Sequence, residues 1–284
     1  MKIDLHMHST ASDGTDSPEE LLKNLIASGI KVFALTDHDT ITGALTLSRI
    51  IQLQDSIKFI KGIEFSCITA NHHKCHILGL NYDESNSDFQ EALKTGDKLR
   101  HEKFYRRIEL LRDKFSITFT DDEINELLRI PSVGKPHIAR LIIKKGLADT
   151  ITEAIERYID QCRTPNSRLN AELAVNAINS SGGIAVWAHP LGGEGESELP
   201  EDKFRAALSE LISYGVKGLE CYYSKYNLDT CGHLAEAAAQ NKLYISGGSD
   251  YHGRNKNIPI GKLNAENIYI DSQRLNILEG VKIN

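Results

Sequence analysis

The chain has 284 residues, of which 40% are hydrophobic and 25% are charged, a composition typical of a soluble globular protein. Its formal net charge of −6 argues against a protein that coats long nucleic acids. We expect a cytoplasmic protein, because the sequence contains no apolar leader segment and no apolar run of membrane-spanning length. The five cysteines form no CxxC pair and are odd in number, which favours reduced thiols.

The first ten residues predict a strand, because apolar and polar side chains alternate over residues 3–8. The polar face carries two imidazoles, His6 and His8, which an apolar core does not accept without partners. A metal ion is the simplest group that satisfies both. Taken alone, the pair fits the end of a surface strand equally well.

Helices and strands alternate in the segment that follows. Ser17, Pro18 and Glu20 form a capping box that predicts a helix ending at Gly29. The sequence then predicts a strand at 32–36, a helix at 43–54, and strands at 59–65 and 76–80. The alternation stops near residue 86 and resumes near residue 170. We predict a helical insertion at 86–165, with capping boxes at Thr120 and Thr150.

After the insertion the alternation returns. Helices are predicted from residues 171, 202 and 229, and strands at 184–189, 216–222 and 243–246. About seven βα units result, which predicts an α/β protein with a parallel (β/α) barrel formed by residues 1–85 and 166–284.

Polar residues cluster at or just after the predicted strands. In a parallel barrel the carboxyl ends of the strands meet on one face, where active sites lie. His76 is instead the first residue of its predicted strand, so it reaches this face only if that strand is antiparallel or displaced. Singly, each residue has an ordinary interpretation as a helix cap, ion pair, turn or solvated loop. Together they indicate a metal site, and mixed imidazole and carboxylate ligands suit Zn, Mn or Fe better than Mg or Ca. The residues are His6, His8, His38, Glu64, His76, His189, Asp250 and His252.

These segments resemble the successive motifs of the PHP (polymerase and histidinol phosphatase) superfamily, in the same order. The resemblance implies a distorted (β/α)7 barrel with a trinuclear centre of divalent metal ions that hydrolyses phosphoesters through a metal-bound hydroxide. The matching runs are DLHMHS at 4–9, SDG at 12–14, LTDHD at 35–39, GIEFS at 62–66, HILG at 76–79, AHP at 188–190 and GSDYH at 248–252.

The resemblance also implies which side chains bind each ion. Asp4 and Asp37 would hold the imidazoles in place. The first ion would take His6, His8, Glu64 and Asp250; the second would share Glu64 and add His76 and His189; the third would take Asp13, His38 and His252.

The run Gly134 to Arg140 suggests a substrate contact. Pro136 suits a first helical turn, whose amides and dipole would lie beside Lys135 and His137. His137 and Arg140 are predicted to share one helix face by their i, i+3 spacing, away from the apolar face that packs on the core. We interpret Lys135, His137 and Arg140 as a phosphate clamp, with a plain surface face as the alternative. The run resembles the PHP branch of nucleotide phosphatases and 5′–3′ exoribonucleases, which implies a 3′,5′-bisphosphonucleotide or very short RNA. Tyr222 could stack on a base or simply pack on a helix.

Three alternatives stay open from the sequence. The same barrel serves histidinol-phosphate-type phosphatases. Amidohydrolase barrels also begin with His-x-His, although that interpretation leaves Asp13, His38 and His252 without a role. A regulatory module that binds metal without turnover is the third alternative, and the complete set of nine ligands argues against it.

Overall fold

The computed structural model describes residues 1–54, 56–164, 167–193 and 198–281, and a nearly closed, barrel-shaped sheet lies at its centre. The sheet follows the order β1-β2-β3-β4-β6-β7-β8, and β5 pairs with β3. The strands are β1 (Ile3–Asp4), β2 (Val32–Leu35), β3 (Lys58–Ile68), β4 (Lys74–Leu80), β5 (Leu169–Asn170), β6 (Ile184–Ala188), β7 (Gly218–Tyr223) and β8 (Tyr244–Gly248).

Helices cover the sheet and form a separate helical segment between β4 and β5. None of the helices in the described ranges is long and apolar enough to cross a bilayer. They are α1 (Pro18–Ala27), α2 (Thr42–Ile50), α3 (Ser87–Phe115), α4 (Asp121–Leu127), α5 (Lys135–Lys144), α6 (Ile151–Ala154), α7 (Ala171–Ser180), α8 (Glu201–Tyr214), α9 (Leu228–Gln240) and α10 (Ile277–Gly280).

The barrel is parallel except at β4, which runs antiparallel to both β3 and β6. Its reversed direction places His76, near the start of β4, opposite Ser66 and Ala188, near the ends of β3 and β6. The antiparallel strand allowed for in the sequence analysis is therefore present, and the distorted α/β barrel is confirmed. The same pairing extends β3 to Ile68, beyond its predicted end at residue 65, because β4 supplies hydrogen-bond partners there.

The first strand closes the barrel against β8 and is much shorter than the predicted ten residues. Regular pairing with β2 is confined to Ile3–Asp4. Beyond it, the Leu5 amide donates to the Gly247 carbonyl at 3.2 Å and the Asp250 amide donates to the His6 carbonyl at 2.8 Å. A Cβ on Gly248 would lie 2.2 Å from the His6 Cβ, so this close approach requires glycine.

The helical segment has an apolar core of its own, which includes Phe104, Leu111, Ile138 and Ile142. Asn86 caps the start of helix α3, and its side chain accepts hydrogen bonds from two backbone amides. From residue 86 to residue 164, the described chain contains helices and no strand. The division into a barrel and an insertion at 86–165 stays a prediction, and its boundary at 165–166 lies outside the described residues.

Candidate metal centre

The mouth of the barrel brings together the nine side chains that the sequence predicted as ligands. Most lie just beyond the carboxyl end of a strand, and His76 reaches the group because β4 is reversed. Most of these side chains are buried, although all of them are polar. The group consists of His6, His8, Asp13, His38, Glu64, His76, His189, Asp250 and His252.

Glu64, near the middle of β3, lies at the centre of this group and is 1% exposed. Its Oε2 lies 3.0 Å from Nδ1 of His38 and its Oε1 lies 3.0 Å from Nδ1 of His76. One carboxylate therefore faces several imidazoles at once. Ring nitrogens within 3.3 Å of a Glu64 oxygen belong to His6, His8, His38, His76 and His189.

Asp13, in the loop after β1, organises a second part of the group. Its Oδ1 lies 3.2 Å from Nε2 of His252 and 3.8 Å from Nδ1 of His8. Its Oδ2 lies 3.9 Å from Nε2 of His38. His8 and His38 therefore stand between Asp13 on one side and Glu64 on the other.

Several of these atoms are buried and have no hydrogen-bond partner among the described residues: His6 Nε2, His8 Nε2, Asp13 Oδ1, His38 Nδ1 and Glu64 Oε2. Buried polar atoms without partners are costly, and their convergence suits a cation placed between them. Imidazole nitrogens and carboxylate oxygens are ligands that Zn, Mn and Fe accept. The residues present therefore fit a metal centre.

The nine side chains include three smaller groups, and within each group the ligand atoms lie within 4.8 Å of one another. All three differ from the assignment that the resemblance implies, and the group of His6, His8 and Glu64 lacks Asp250. His8 joins the group around Asp13, and His38 replaces His189 beside Glu64 and His76. The groups are His8, Asp13, His38 and His252; His6, His8 and Glu64; and His38, Glu64 and His76.

The carboxylates of the centre are ionised at neutral pH. Burial by itself would raise the pKa of Glu64, but the surrounding imidazoles, His38 foremost, hold that pKa well below its usual range. Burial would also raise the pKa of Asp13, but His252 and His38 hold that pKa well below its usual range. Burial would likewise raise the pKa of Asp250, but Lys256 and His252 hold it well below its usual range. Three negative charges, of which Glu64 and Asp250 are buried and Asp13 is 15% exposed, therefore lie in the centre and favour bound cations.

Glu220 is a site residue that the sequence analysis missed. It lies within β7 and is fully buried. Its Oε1 lies 2.9 Å from Nδ1 of His6, and its Oε2 accepts the His189 backbone amide at 2.7 Å. The signal was available, because a carboxylate inside an apolar strand needs a polar partner.

Among the described residues, neither Asp4 nor Asp37 forms a direct hydrogen bond with an imidazole ring, contrary to the sequence interpretation. Asp4 accepts hydrogen bonds from the amide and hydroxyl of Ser249 and from the Gly261 amide. Asp37 accepts from Ser9 and from Ser12. Their short side chains therefore fix the loops that carry the ligands. Asp37 reaches a ligand ring only indirectly, because the Ser12 hydroxyl that donates to it at 2.6 Å also lies 3.4 Å from Nδ1 of His8.

Asp250 has its two oxygens in different environments. Oδ1 lies 3.3 Å from Nε2 of His8, whereas Oδ2 accepts from the Tyr223 hydroxyl at 3.0 Å and from Lys256 Nζ at 2.6 Å. The backbone at Asp250 has a φ of 58°, a value that is uncommon outside glycine. Tyr223 and Lys256 therefore hold a strained residue with one oxygen turned towards the imidazoles.

A cavity of about 590 Å³ opens over the centre. The barrel contributes candidate ligands, including His38 and His76, to one wall. The helical segment contributes cationic residues on α3 and apolar side chains to the lining. The volume lies within the range of about 300–1,000 Å³ that is typical of small-molecule sites.

Comparisons with known proteins agree with this geometry. Residues 4–166 match the family model described as the PHP domain. The chain is 31% identical over 254 residues to a 5′–3′ exoribonuclease of Haemophilus influenzae, covering 88% of this chain and 90% of the relative. The chain belongs to the PHP family.

Two further matches support this PHP assignment. A 3′,5′-nucleoside bisphosphate phosphatase of Chromobacterium violaceum is 28% identical, with 88% of this chain and 87% of the relative covered. A solved structure from Bifidobacterium adolescentis matches with a TM-score of 0.79 at 23% identity, covering 96% of each chain, and supports the fold. This PHP protein is a phosphoester hydrolase, as the sequence analysis predicted.

The four predicted substrate residues of this PHP chain differ in where they lie relative to the cavity. Lys135 lines the cavity and pairs with Asp160. His137 is buried, and its Nδ1 accepts the Gly134 amide at 2.9 Å, so its ring caps α5 instead of sharing an exposed face with Arg140.

Arg140 and Tyr222 lie outside the lining of the cavity in the part of the chain that the structure describes. Arg140 Nη2 donates to Asn255 Oδ1 at 2.7 Å, and Asn255 Nδ2 donates to the Asp13 carbonyl at 2.5 Å. Tyr222 is 5% exposed and packs in the main core. Substrate contacts by Lys135, His137, Arg140 and Tyr222 stay predictions.

Proposed function

We propose that this chain is a metal-dependent phosphoesterase that hydrolyses a phosphate ester of a nucleotide or of a very short RNA. The observation that carries the proposal is the convergence, beneath a cavity of ligand size, of ionised carboxylates with imidazole nitrogens that form no hydrogen bond with any described residue. We propose three divalent ions of Mn, Fe or Zn, held by the nine side chains named above.

The chain's own residues prepare this centre. Bound ions would neutralise phosphoryl oxygens and lower the pKa of a coordinated water. Glu220 fixes the ring of His6, so that Nε2 faces Glu64. Tyr223 and Lys256 hold Asp250 in place. Because these contacts exist before a substrate arrives, the ligands need little rearrangement to bind ions.

The nucleotide part of the proposal draws on the relatives and on the cavity. The relative from Haemophilus is an exoribonuclease and the one from Chromobacterium is a nucleoside bisphosphate phosphatase. Half-buried Leu99, Ile151 and Ile155 line the cavity and offer an apolar surface to a nucleoside. A histidinol-phosphate-type substrate has no need of such a surface. We propose that the segment 86–165 recognises the substrate, and that the protein is cytoplasmic.

Phosphate release by Mn-loaded protein tests this function. The substrates are a 3′,5′-bisphosphonucleotide, a dinucleotide and histidinol phosphate, with Glu64→Gln as the inactive control. We expect turnover of at least one nucleotide substrate and a loss of at least 100-fold in Glu64→Gln. Turnover confined to histidinol phosphate would favour the alternative phosphatase, and no turnover of any ester would favour a regulatory module.

A further inference from the structure

Asp13 differs from the other eight candidate ligands in how the fold supports it. Those eight lie within a strand or within four residues of the end of one. Asp13 instead lies in the loop between β1 and α1, nine residues beyond the end of β1, and its side chain is 15% exposed. Strand pairing therefore does not fix this carboxylate, and other contacts must hold its loop in place.

The barrel holds this loop just before and just after Asp13. The Ser12 hydroxyl donates to Oδ1 of Asp37 at 2.6 Å. The Thr15 amide donates to the His252 carbonyl at 3.2 Å. These two contacts anchor the neighbours of Asp13, and they do not involve the peptide carbonyl of Asp13 itself.

The helical segment contacts the same loop. The amide of Ser132, which is 1% exposed, donates to the Ala11 carbonyl at 3.0 Å. Gly134 caps the start of α5 and lies beside the ligand, because a Cβ built on it would stand 3.6 Å from the Asp13 Cβ. The loop that carries Asp13 therefore lies between the barrel and the helical segment.

Asn255 connects Asp13 to α5. Its Nδ2 donates to the Asp13 carbonyl at 2.5 Å, and its Oδ1 accepts from Nη2 of Arg140 at 2.7 Å. Its own amide donates to the carbonyl of His252, a second candidate ligand, at 3.4 Å. Only one orientation of the side-chain amide serves both partners, because a guanidinium only donates and a carbonyl only accepts. The position therefore needs an N–H donor and an acceptor in one side chain.

We propose that Asn255 and Arg140 are positioning residues for the ion that Asp13 binds. This inference rests on the proposed function and adds to it a dependence of one ion on the helical segment. Asp13 Oδ1 and His252 Nε2 lie 3.2 Å apart but belong to two different loops. Asn255 fixes the loop of Asp13 relative to that of His252, and Arg140 fixes the orientation of the Asn255 amide. Without this connection the two ligands separate, and this ion is lost before the others.

The first test counts Mn ions in protein that has no substrate bound, after dialysis and by mass spectrometry. Asn255→Asp keeps the size of the side chain and an acceptor for Arg140, but it turns a second acceptor towards the Asp13 carbonyl. We expect three ions per chain in the wild type and two in the variant. Competition with a chelator should show an affinity for the third ion that is about 10- to 100-fold lower, as is typical when a contact that supports a ligand is lost.

Asn257→Asp is the matched control, because Asn257 is exposed, lies in the same loop and would gain the same charge. An added negative charge by itself strengthens the binding of cations. A weaker affinity in Asn255→Asp alone therefore reports the lost hydrogen bond and not the change in charge.

Arg140 provides a second and milder variant. Arg140→Met removes the donor to Asn255, whereas Arg140→Lys keeps a donor. We expect the affinity for the third ion to fall about threefold to tenfold in Arg140→Met and to return to the wild-type value in Arg140→Lys. A residue that only contacts substrate would not change the binding of metal in the absence of substrate. The measurement therefore distinguishes the positioning role from the phosphate contact that the sequence predicted for Arg140.

The outcomes separate this inference from the proposed function. Three ions with unchanged affinity in Asn255→Asp, equal losses in Asn257→Asp, or the loss of every ion in Asn255→Asp would overturn the positioning role while the wild type keeps its centre. Wild-type protein that binds no ion would contradict the proposed function, and this inference with it.

Discussion

Oε1 of Glu220 lies 2.9 Å from Nδ1 of His6, so a carboxylate inside β7 determines which nitrogen of His6 faces Glu64. The same carboxylate accepts the His189 amide through its other oxygen. Burial opposes protonation of His6, yet Glu220, Glu64 and Asp250 raise its pKa well above the ordinary value. Glu220 thus connects two candidate ligands to the interior of the barrel.

Glu220→Gln should weaken metal binding, because the neutral amide loses the charge that favours His6 with Nε2 turned inward. Removing such a supporting contact typically costs about 10- to 100-fold in metal affinity or activity. Metal affinity is measured by competition with a chelator at fixed pH. Glu236→Gln on α9 is the control, since Glu236 is exposed and remote from the cavity. Equal affinities for the two variants would contradict a positioning role.

Arg100 connects the helical segment to the barrel through a buried ion pair. Its Nε and Nη2 donate to Asp39 Oδ2 at 2.9 and 2.6 Å, and the two side chains are 15% and 4% exposed. Arg100→Ala leaves Asp39 buried without its cation, so we expect a loss of about 3–5 kcal/mol in the free energy of unfolding.

Urea denaturation measures this loss, with Arg106→Ala as the matched control on the same helix. Arg106 and Glu109 are both about half exposed, and such surface pairs contribute about 0–1 kcal/mol. A loss below 1 kcal/mol in Arg100→Ala would show that the pair does not hold the two parts together.

His137 should make the stability depend on pH. Burial lowers its pKa from 6.5 to about 4, so the folded chain keeps the ring neutral while the unfolded chain protonates it below pH 6.5. The contribution of His137 to the free energy of unfolding is therefore constant above pH 6.5, and it declines as the pH falls from 6.5 towards 4.

The variant His137→Gln isolates this contribution, because glutamine can still accept the Gly134 amide but does not titrate. Urea denaturation of chelated protein at pH 5.0 and 7.5 gives the comparison. We expect the wild type to lose more stability than the variant between these pH values. An equal loss in both proteins would mean that His137 titrates normally in the folded chain.

The sequence pattern predicted most of the barrel and eight members of the candidate cluster, because polar residues stand out beside the apolar runs of the strands. The ninth member, Asp13, came only from the resemblance to the PHP motifs, since it lies in a loop well beyond β1. It missed Glu220, since a single carboxylate within β7 belongs to no recognisable spacing. It also assigned His137 to an exposed face, because helical periodicity does not reveal that the ring folds back onto the Gly134 amide. The sequence also does not show that Arg168 lines the same cavity as residues of α3, because these segments are distant in the chain and no local pattern encodes their approach.

Counting metal ions per chain, together with activity, tests the central claim most directly. Protein purified with Mn, dialysed and analysed by inductively coupled plasma mass spectrometry should hold more than one ion per chain, and Asp13→Asn should hold one ion fewer. Chelation should abolish hydrolysis of a nucleotide ester, and added Mn should restore it. Protein that holds no ion and hydrolyses the ester equally well after chelation would contradict the account.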